Sequence, residues 1–273
     1  MKDFAKKTVV ITGAGSGIGR ATAQAFAKRG ALLALCDRDQ SGLDETARLI
    51  VQAGFNKPLV SAFDITDESA ILAFAEKVNE QFGRVHVLIN NAGIEGSAKP
   101  VWATEAEVFR KVMEVNYYGV VNCTRAFLPQ MQAANEGVIV NVSSVFGLIG
   151  TPNHADYCAS KFAVRGFTEA LMSELQESAI QVQLLHPGGI ATNIAQLSHS
   201  QPFANHFSTT SPEDLAEYLI RCISKNKPRI VYGNGAFKTW LSTRLLPLGM
   251  QCKAAWSELK KVIDLSDYPS NSK

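Results

Sequence analysis

The apolar run at residues 8–12 feeds directly into Gly13-Ala14-Gly15-Ser16-Gly17-Ile18-Gly19, and from Ile18 to Arg29 the apolar residues recur at helical spacing. This succession of strand, glycine turn and helix constrains the fold more than any other feature of the chain. Glycines let the backbone take left-handed angles and let a helix start lie close to the strand it leaves, and the N–H groups at that start attract an anion. A strand fed into such a turn is covered by helices, so its neighbours run parallel to it and are apolar on both faces.

The rest of the chain supplies those neighbours. Short apolar runs at residues 32–37, 59–63, 87–90, 138–142, 182–186 and 230–232 alternate with longer stretches of helical period. Right-handed crossovers then leave one common solution. The expected fold is a single α/β, doubly wound Rossmann-type domain with a seven-stranded parallel sheet flanked by helices. Residues 1–235 form the dinucleotide-binding catalytic domain. Residues 236–273 form a carboxyl-terminal helical extension whose tail, from Asp267, looks loose. Ser211-Pro212-Glu213-Asp214 carries a capping residue, Pro at the first helical position and acids in the first turn, so a helix starts there. The preceding residues, 192–211, show no sustained period and read as a lid.

Composition excludes several classes. A formal charge of +2, with 46% hydrophobic and 19% charged residues, gives no nucleic-acid footprint. Five scattered cysteines without a Cys-x-x-Cys pair predict reduced, mostly buried thiols and no metal site. The glycine turn begins too early to leave room for a signal peptide, and no run reaches the roughly 18 apolar residues of a membrane span. The expected location is the cytoplasm.

Two further features point to chemistry. Tyr157 and Lys161 are spaced i, i+4, which puts a phenol and an ammonium on one helix face, where the cation favours the phenolate. Asp37 ends the second strand about 20 residues past the glycine turn, where a carboxylate accepts the hydrogen bonds of an adenosine ribose. A carboxylate there repels a 2′-phosphate, so NAD is preferred; Arg38 beside it keeps NADP open.

In order and spacing, several motifs resemble those of the short-chain dehydrogenase/reductase superfamily from Thr8 to about Tyr232. They are Thr12-Gly-x-x-x-Gly-x-Gly19, Asn90-Asn91-Ala92-Gly93, Asn116, Ser144 ahead of Tyr157-x-x-x-Lys161, and Pro187-Gly188 followed by Thr192. The resemblance implies an NAD(P)-dependent oxidoreductase interconverting a secondary alcohol and a ketone. Ser144, Tyr157 and Lys161 would be the reacting set, with Asn116 supporting a proton relay through a bound water. Tyr157 would be the general acid/base, its pKa pulled down by Lys161 and the positive nicotinamide. Coenzyme contacts are implied for Gly13, Ser16, Gly17, Ile18, Gly19, Asp37 and Arg38, and for Asp64 and Ile65 beside the adenine. They extend to Asn90, Asn91, Ala92 and Gly93 along the cofactor, to Tyr157 and Lys161, and to Pro187, Gly188, Ile190 and Thr192 toward the carboxamide. A homodimer or homotetramer is also implied, with contacts around residues 105–132 and 157–177.

Two rival classes remain open in the sequence. A hydrolase would pair Ser144 with His154 or His186 and Asp156, although the serine lacks the Gly-x-Ser-x-Gly elbow. An NAD-binding redox sensor would bind coenzyme without turnover. The expected pocket residues are Ile94, Val145, Phe146, Leu148, Ile149, Ile194, Leu197, Phe203 and Phe207, without clustered Arg or Lys, which favours a lipophilic alcohol or ketone. Residues 237–247 have helical spacing and a basic face. Packing on the pocket or on a neighbouring subunit ranks above membrane contact for that segment.

Overall fold

Seven parallel strands form one sheet in the order β3-β2-β1-β4-β5-β6-β7. They are β1 Thr8–Thr12, β2 Leu32–Asp37, β3 Leu59–Ala62, β4 Val87–Asn90, β5 Gly137–Val142, β6 Ile180–Pro187 and β7 Arg229–Tyr232. This computed structural model describes residues 1, 3–192, 194 and 201–269, without the side chains of 203 and 204. All seven expected strands are present. β6 is longer than its apolar run because backbone pairing of Gly137 with Ile180 and Val138 with Gln181 extends it past a polar residue. β3 stops at Ala62, one residue short of expectation.

Helices α1 Gly17–Ala27, α2 Gln40–Gln52, α3 Glu68–Phe82, α4 Ala106–Met113, α5 Gly119–Ala134 and α6 Ala155–Glu174 follow in chain order. They are succeeded by α7 Gln201–Phe207, α8 Pro212–Ser224, α9 Ala236–Leu245 and α10 Leu248–Leu259. On one face of the sheet Phe26, Leu43, Leu215, Leu219 and Ile223 are buried together; on the other, Phe74, Phe127, Met131 and Leu171. Each such side chain contributes about 2 kcal/mol of burial. α8 begins as expected, with Ser211 Oγ accepting the Asp214 N–H at 3.0 Å. No helix among the described residues is long and apolar enough to cross a membrane.

Between β1 and β4 the chain reverses its direction of travel across the sheet, and a crevice opens beyond the carboxyl ends of the two strands. A buried polar network braces it. Asn90 Nδ2 donates to Asn141 Oδ1 (2.8 Å) and Thr124 Oγ1 (3.0 Å), and Asn141 Nδ2 donates to Thr168 Oγ1 (3.0 Å). The Asn90 side chain is thus committed to the core, tying β4 to β5 and α5.

The carboxyl-terminal segment departs most from expectation. Pro247 separates α9 from α10, and the pair folds back over the crevice: α9 touches β7 and the turn Val145–Gly147, and α10 packs on α9. The supposedly loose tail is fastened at its start. Trp102 Nε1 donates to Asp267 O (2.8 Å), Tyr268 Oη donates to Asn153 Oδ1 (2.7 Å), and the Tyr268 ring meets Trp102 and Trp256. Of the expected lid, residues 193 and 195–200 lie outside the described residues; the remainder contains α7, a turn-rich sequence helical for seven residues.

Candidate active site

The glycine turn is built for close approach. Gly13 and Gly17 have φ of +66° and +49°, and a Cβ on Gly19 would sit 2.0 Å from the Gly13 carbonyl oxygen. Thr12 Oγ1 accepts the N–H groups of Asn91 (3.0 Å) and Ala92 (2.9 Å), while Asn91 Nδ2 donates to the carbonyls of Thr12 and Gly13. The loop after β4 is thereby stitched to the turn after β1. Ser16 stands at the N-cap of α1 with no side-chain cap bond, so the first-turn N–H groups stay available to an anion. Asp37 accepts the Gly15 N–H at 2.9 Å and the Asp39 N–H at 3.1 Å, placing a carboxylate at the edge of the cradle with lone pairs to spare for ribose hydroxyls. Arg38 beside it is exposed. Asp64 accepts from Thr66 and pairs with Lys111 at 3.4 Å, and Ile65 packs against Gly119 at the start of α5.

A cavity of about 400 Å³ continues from this cradle. Ile18, Asn91, Gly93, Ser144, Tyr157, Lys161, Pro187, Gly188, Ile190 and Thr192 all line it, so the expected coenzyme and reacting residues converge. Tyr157 and Lys161 lie on α6, and Lys161 Nζ sits 5.6 Å from the centre of the Tyr157 ring. Lys161 is 3% exposed and donates to the Val142 carbonyl at 3.0 Å; burial pulls its pKa down to about 8.

Tyr157 behaves differently from expectation. Burial pushes its phenol well above the ordinary value, the Ser144 hydrogen bond only partly offsets this, and Glu95 adds to the rise. Burial disfavours the charge of Lys161 as well. The expected lowering of the Tyr157 pKa is therefore not a property of the protein alone.

Asn116 sits on a π-helical turn, Glu114–Tyr118, that joins α4 to α5. Its Oδ1 accepts the Ile94 N–H (2.8 Å), and its Nδ2 donates to Ile94 O and Ser160 Oγ, each at 3.0 Å. It clamps the loop after Gly93 to α6. Asp156 does the same one turn away, accepting the N–H of Ser97 at 2.8 Å and of Tyr157 at 2.7 Å. The sequence offered Asp156 only as the acid of a hydrolase triad and gave no signal of this bracing role.

The hydrolase alternative lacks its geometry. His186 Nδ1 bonds the Ser144 backbone carbonyl (2.8 Å), His154 Nδ1 meets the Pro152 carbonyl (2.8 Å), and Ser144 Oγ accepts the Phe146 N–H (3.1 Å). Burial lowers the His186 pKa to about 4. The unfolded imidazole, near 6.5, binds a proton that the folded one refuses, so this contribution to stability is present above 6.5 and is lost as pH falls toward 4. His186→Gln is expected to reduce the loss of unfolding free energy between pH 7 and pH 5 by about 2 kcal/mol. Urea titrations of both proteins at the two pH values measure it, and equal losses would refute it.

Of the expected pocket residues, Val145, Phe146, Ile149, Ile194 and Phe207 line the cavity. Leu148 is core, 5% exposed, and Ile94 is not among the lining residues. Leu197 and the Phe203 side chain lie outside the described residues. The lining is also less uniformly apolar than the sequence implied. Glu95 reaches it, and α9 and α10 roof it with Thr239, Ser242, Leu246, Leu259 and the pair Lys238–Glu258 at 3.7 Å. Helical spacing marked α9 as amphipathic, but no local signal placed α10 over the cavity.

Comparison with known proteins agrees with this geometry. Residues 7–202 match the family model for short chain dehydrogenases. The Mycobacterium tuberculosis protein designated oxidoreductase SadH is 42% identical over 245 residues, covering 85% of this chain and 88% of its own. The cis-4-hydroxycyclohexanecarboxylate dehydrogenase of Sinomonas cyclohexanicum is 34% identical over 225 residues, 79% of this chain and 88% of its own. Among solved structures, a short chain dehydrogenase/reductase from Burkholderia phymatum in complex with NAD superposes with a TM-score of 0.83 at 29% identity, covering 99% of this chain and all of its own. Levodione reductase gives 0.79 at 27% identity, covering 89% of this chain and all of its own.

Proposed function

Since the chain belongs to the short-chain dehydrogenase/reductase superfamily, we propose that it interconverts a lipophilic secondary alcohol and its ketone, with NAD preferred over NADP. The observation that carries this reading is the convergence of Ser144, Tyr157 and Lys161 with Ile18, Asn91, Gly93, Ile190 and Thr192 on one cavity. The named activities of the Sinomonas dehydrogenase, on a hydroxycyclohexanecarboxylate, and of levodione reductase support the reaction class. Asp37 supports NAD.

A cradle too narrow for any Cβ, an open helix start and a carboxylate at its edge suit a dinucleotide. Gly13, Gly17 and Gly19 would admit its pyrophosphate, Asp37 would hold the adenosine ribose, and Thr192 and Ile190 would face its carboxamide. When bound, the nicotinamide supplies or accepts the hydride. The chain handles the proton. Tyr157 holds it on Oη in the resting pocket and delivers it to the ketone oxygen in reduction, while Ser144, which lines the same cavity, donates to that oxygen. Lys161, poised near 8, supplies a cation that stabilises the phenolate left behind. Asn116 and Asp156 keep the loop carrying Gly93 and Glu95 seated on α6. Tyr118 and Phe162, exposed aromatics at the start of α5 and on α6, support a homo-oligomer through that face.

Because Tyr157 stays neutral up to a raised pKa, reduction is expected to stay flat from about pH 6 to 10. Oxidation, which needs the phenolate, rises over the same range. Initial rates for a panel of lipophilic alcohols and ketones with NAD(H) and NADP(H), from pH 6 to 10, test the proposal. Coenzyme binding without turnover on the whole panel would assign the chain a sensing role instead.

A further inference from the structure

α9 presents Phe237, Leu241 and Leu245 at four-residue steps, so they lie along one face, and Leu248 extends the stripe beyond Pro247. All four are exposed, Leu245 at 70% and Leu248 at 74%. Large apolar side chains on a protein surface are normally scattered singly; a continuous stripe marks a contact surface. Charge identifies what it meets. Residues 236–261 hold five cations and one carboxylate in a chain whose formal charge is only +2, so the remainder is acidic on balance. The single carboxylate, Glu258, is paired with Lys238. Arg244 on α9, Lys253 on α10 and Lys260 and Lys261 just past the end of α10 are all exposed, and Arg244 stacks on the Trp240 ring at 4.5 Å.

We infer that the outer face of α9 and α10 docks on an anionic lipid surface. An apolar stripe rimmed by cations and backed by an aromatic residue is the chemistry of a helix lying in the headgroup region, and neither helix is long enough to span a bilayer. A second copy of the chain is the poorer occupant: a two-fold contact through this patch would bring the same cations toward each other. The inner face of the same helices lines the cavity through Thr239, Ser242, Leu246 and Leu259. The docked protein therefore places its pocket roof against the bilayer, where a lipophilic alcohol dissolves. That corollary rests on the proposed function; the docking does not.

Flotation of the full chain with vesicles reads docking without turnover. Vesicles of phosphatidylcholine containing about one-third phosphatidylglycerol are expected to carry the protein up at low salt, and phosphatidylcholine vesicles alone are not. Leu245→Glu with Leu248→Glu, both exposed and outside the cavity lining, is expected to lower the floated fraction about tenfold or more, with an unchanged circular dichroism spectrum. Lys260→Glu with Lys261→Glu should weaken flotation through charge alone. Docking without turnover would support this inference and count only against the alcohol reading. Failure of the unmodified chain to float with either vesicle would overturn the inference. So would a smaller mass by light scattering for the leucine double variant, which would give the face to a second copy.

Discussion

Tyr157→Phe is expected to lower kcat by about 10³-fold on any alcohol the protein oxidises, within the span that a positioned acid/base contributes. The substitution removes one oxygen. The ring still meets Phe146 at 6.0 Å between centroids and still lies under Lys161, so the packing at the start of α6 is kept. Tyr157 Oη is a proton carrier that lines the cavity beside Ser144, and a phenyl ring cannot replace it. Coenzyme affinity, set on the far side of the crevice by the glycine turn and Asp37, should change by less than about threefold, under 1 kcal/mol. Single-turnover absorbance of the reduced nicotinamide gives the rate, and fluorescence titration gives the affinity. A variant that keeps more than a tenth of the wild-type rate would remove Tyr157 from the chemistry.

Gly19→Ala is expected to act on the opposite half of the site. The added methyl would lie 2.0 Å from the Gly13 carbonyl oxygen, 2.8 Å from its carbon and 2.9 Å from Asn91 Nδ2. None of these can yield freely, because Asn91 Nδ2 is committed to the carbonyls of Thr12 and Gly13. α1 must then lift from the turn, carrying with it the N–H groups that would meet the pyrophosphate. Overpacking of this kind costs about 1–3 kcal/mol of stability, and coenzyme affinity is expected to fall about 100-fold or more, close to 2.7 kcal/mol. Gly166→Ala on α6 is the matched control: its Cβ would meet nothing within 4 Å, so stability should rise by about 0.5–1 kcal/mol. Calorimetric binding and urea unfolding measure the two quantities. Unchanged coenzyme affinity in Gly19→Ala would show that the turn does not hold the dinucleotide.

The sheet was legible because each strand carries a short apolar run and each gap a helical period. Val138-Ile139-Val140 and Ile11 between Val10 and Thr12 needed no partner to be recognised. Register at the ends was not, since Gln181 and Gln183 look like solvent residues until backbone pairing with β5 draws them into the sheet, where Gln183 Nε2 donates to the Cys222 carbonyl. Most of the candidate site was legible too, because its motifs are short and local: a glycine turn, an i, i+4 pair, a strand-end carboxylate. The core role of the Asn90 side chain was not, for the complementary reason. It stands in a motif with Asn91, but strand alternation turns its amide into the core toward Asn141 while the next residue enters the crevice.

What the sequence determined by itself is the set of local geometries: where backbone must bend without a Cβ, which residues share a helix face, and which strands are covered on both sides. These depend on neighbours within a turn or two of the chain. The tertiary structure alone decided the electrostatics of Tyr157 and Lys161 and the identity of the pocket roof. Desolvation is set by every atom around a group, and it reversed the shift that the Tyr157–Lys161 spacing implies. The fold-back of α10 depends on burying Ala255 and Leu259 against a cavity built from residues about a hundred positions upstream, such as His154 and Tyr157. No periodicity within the segment records a contact of that length.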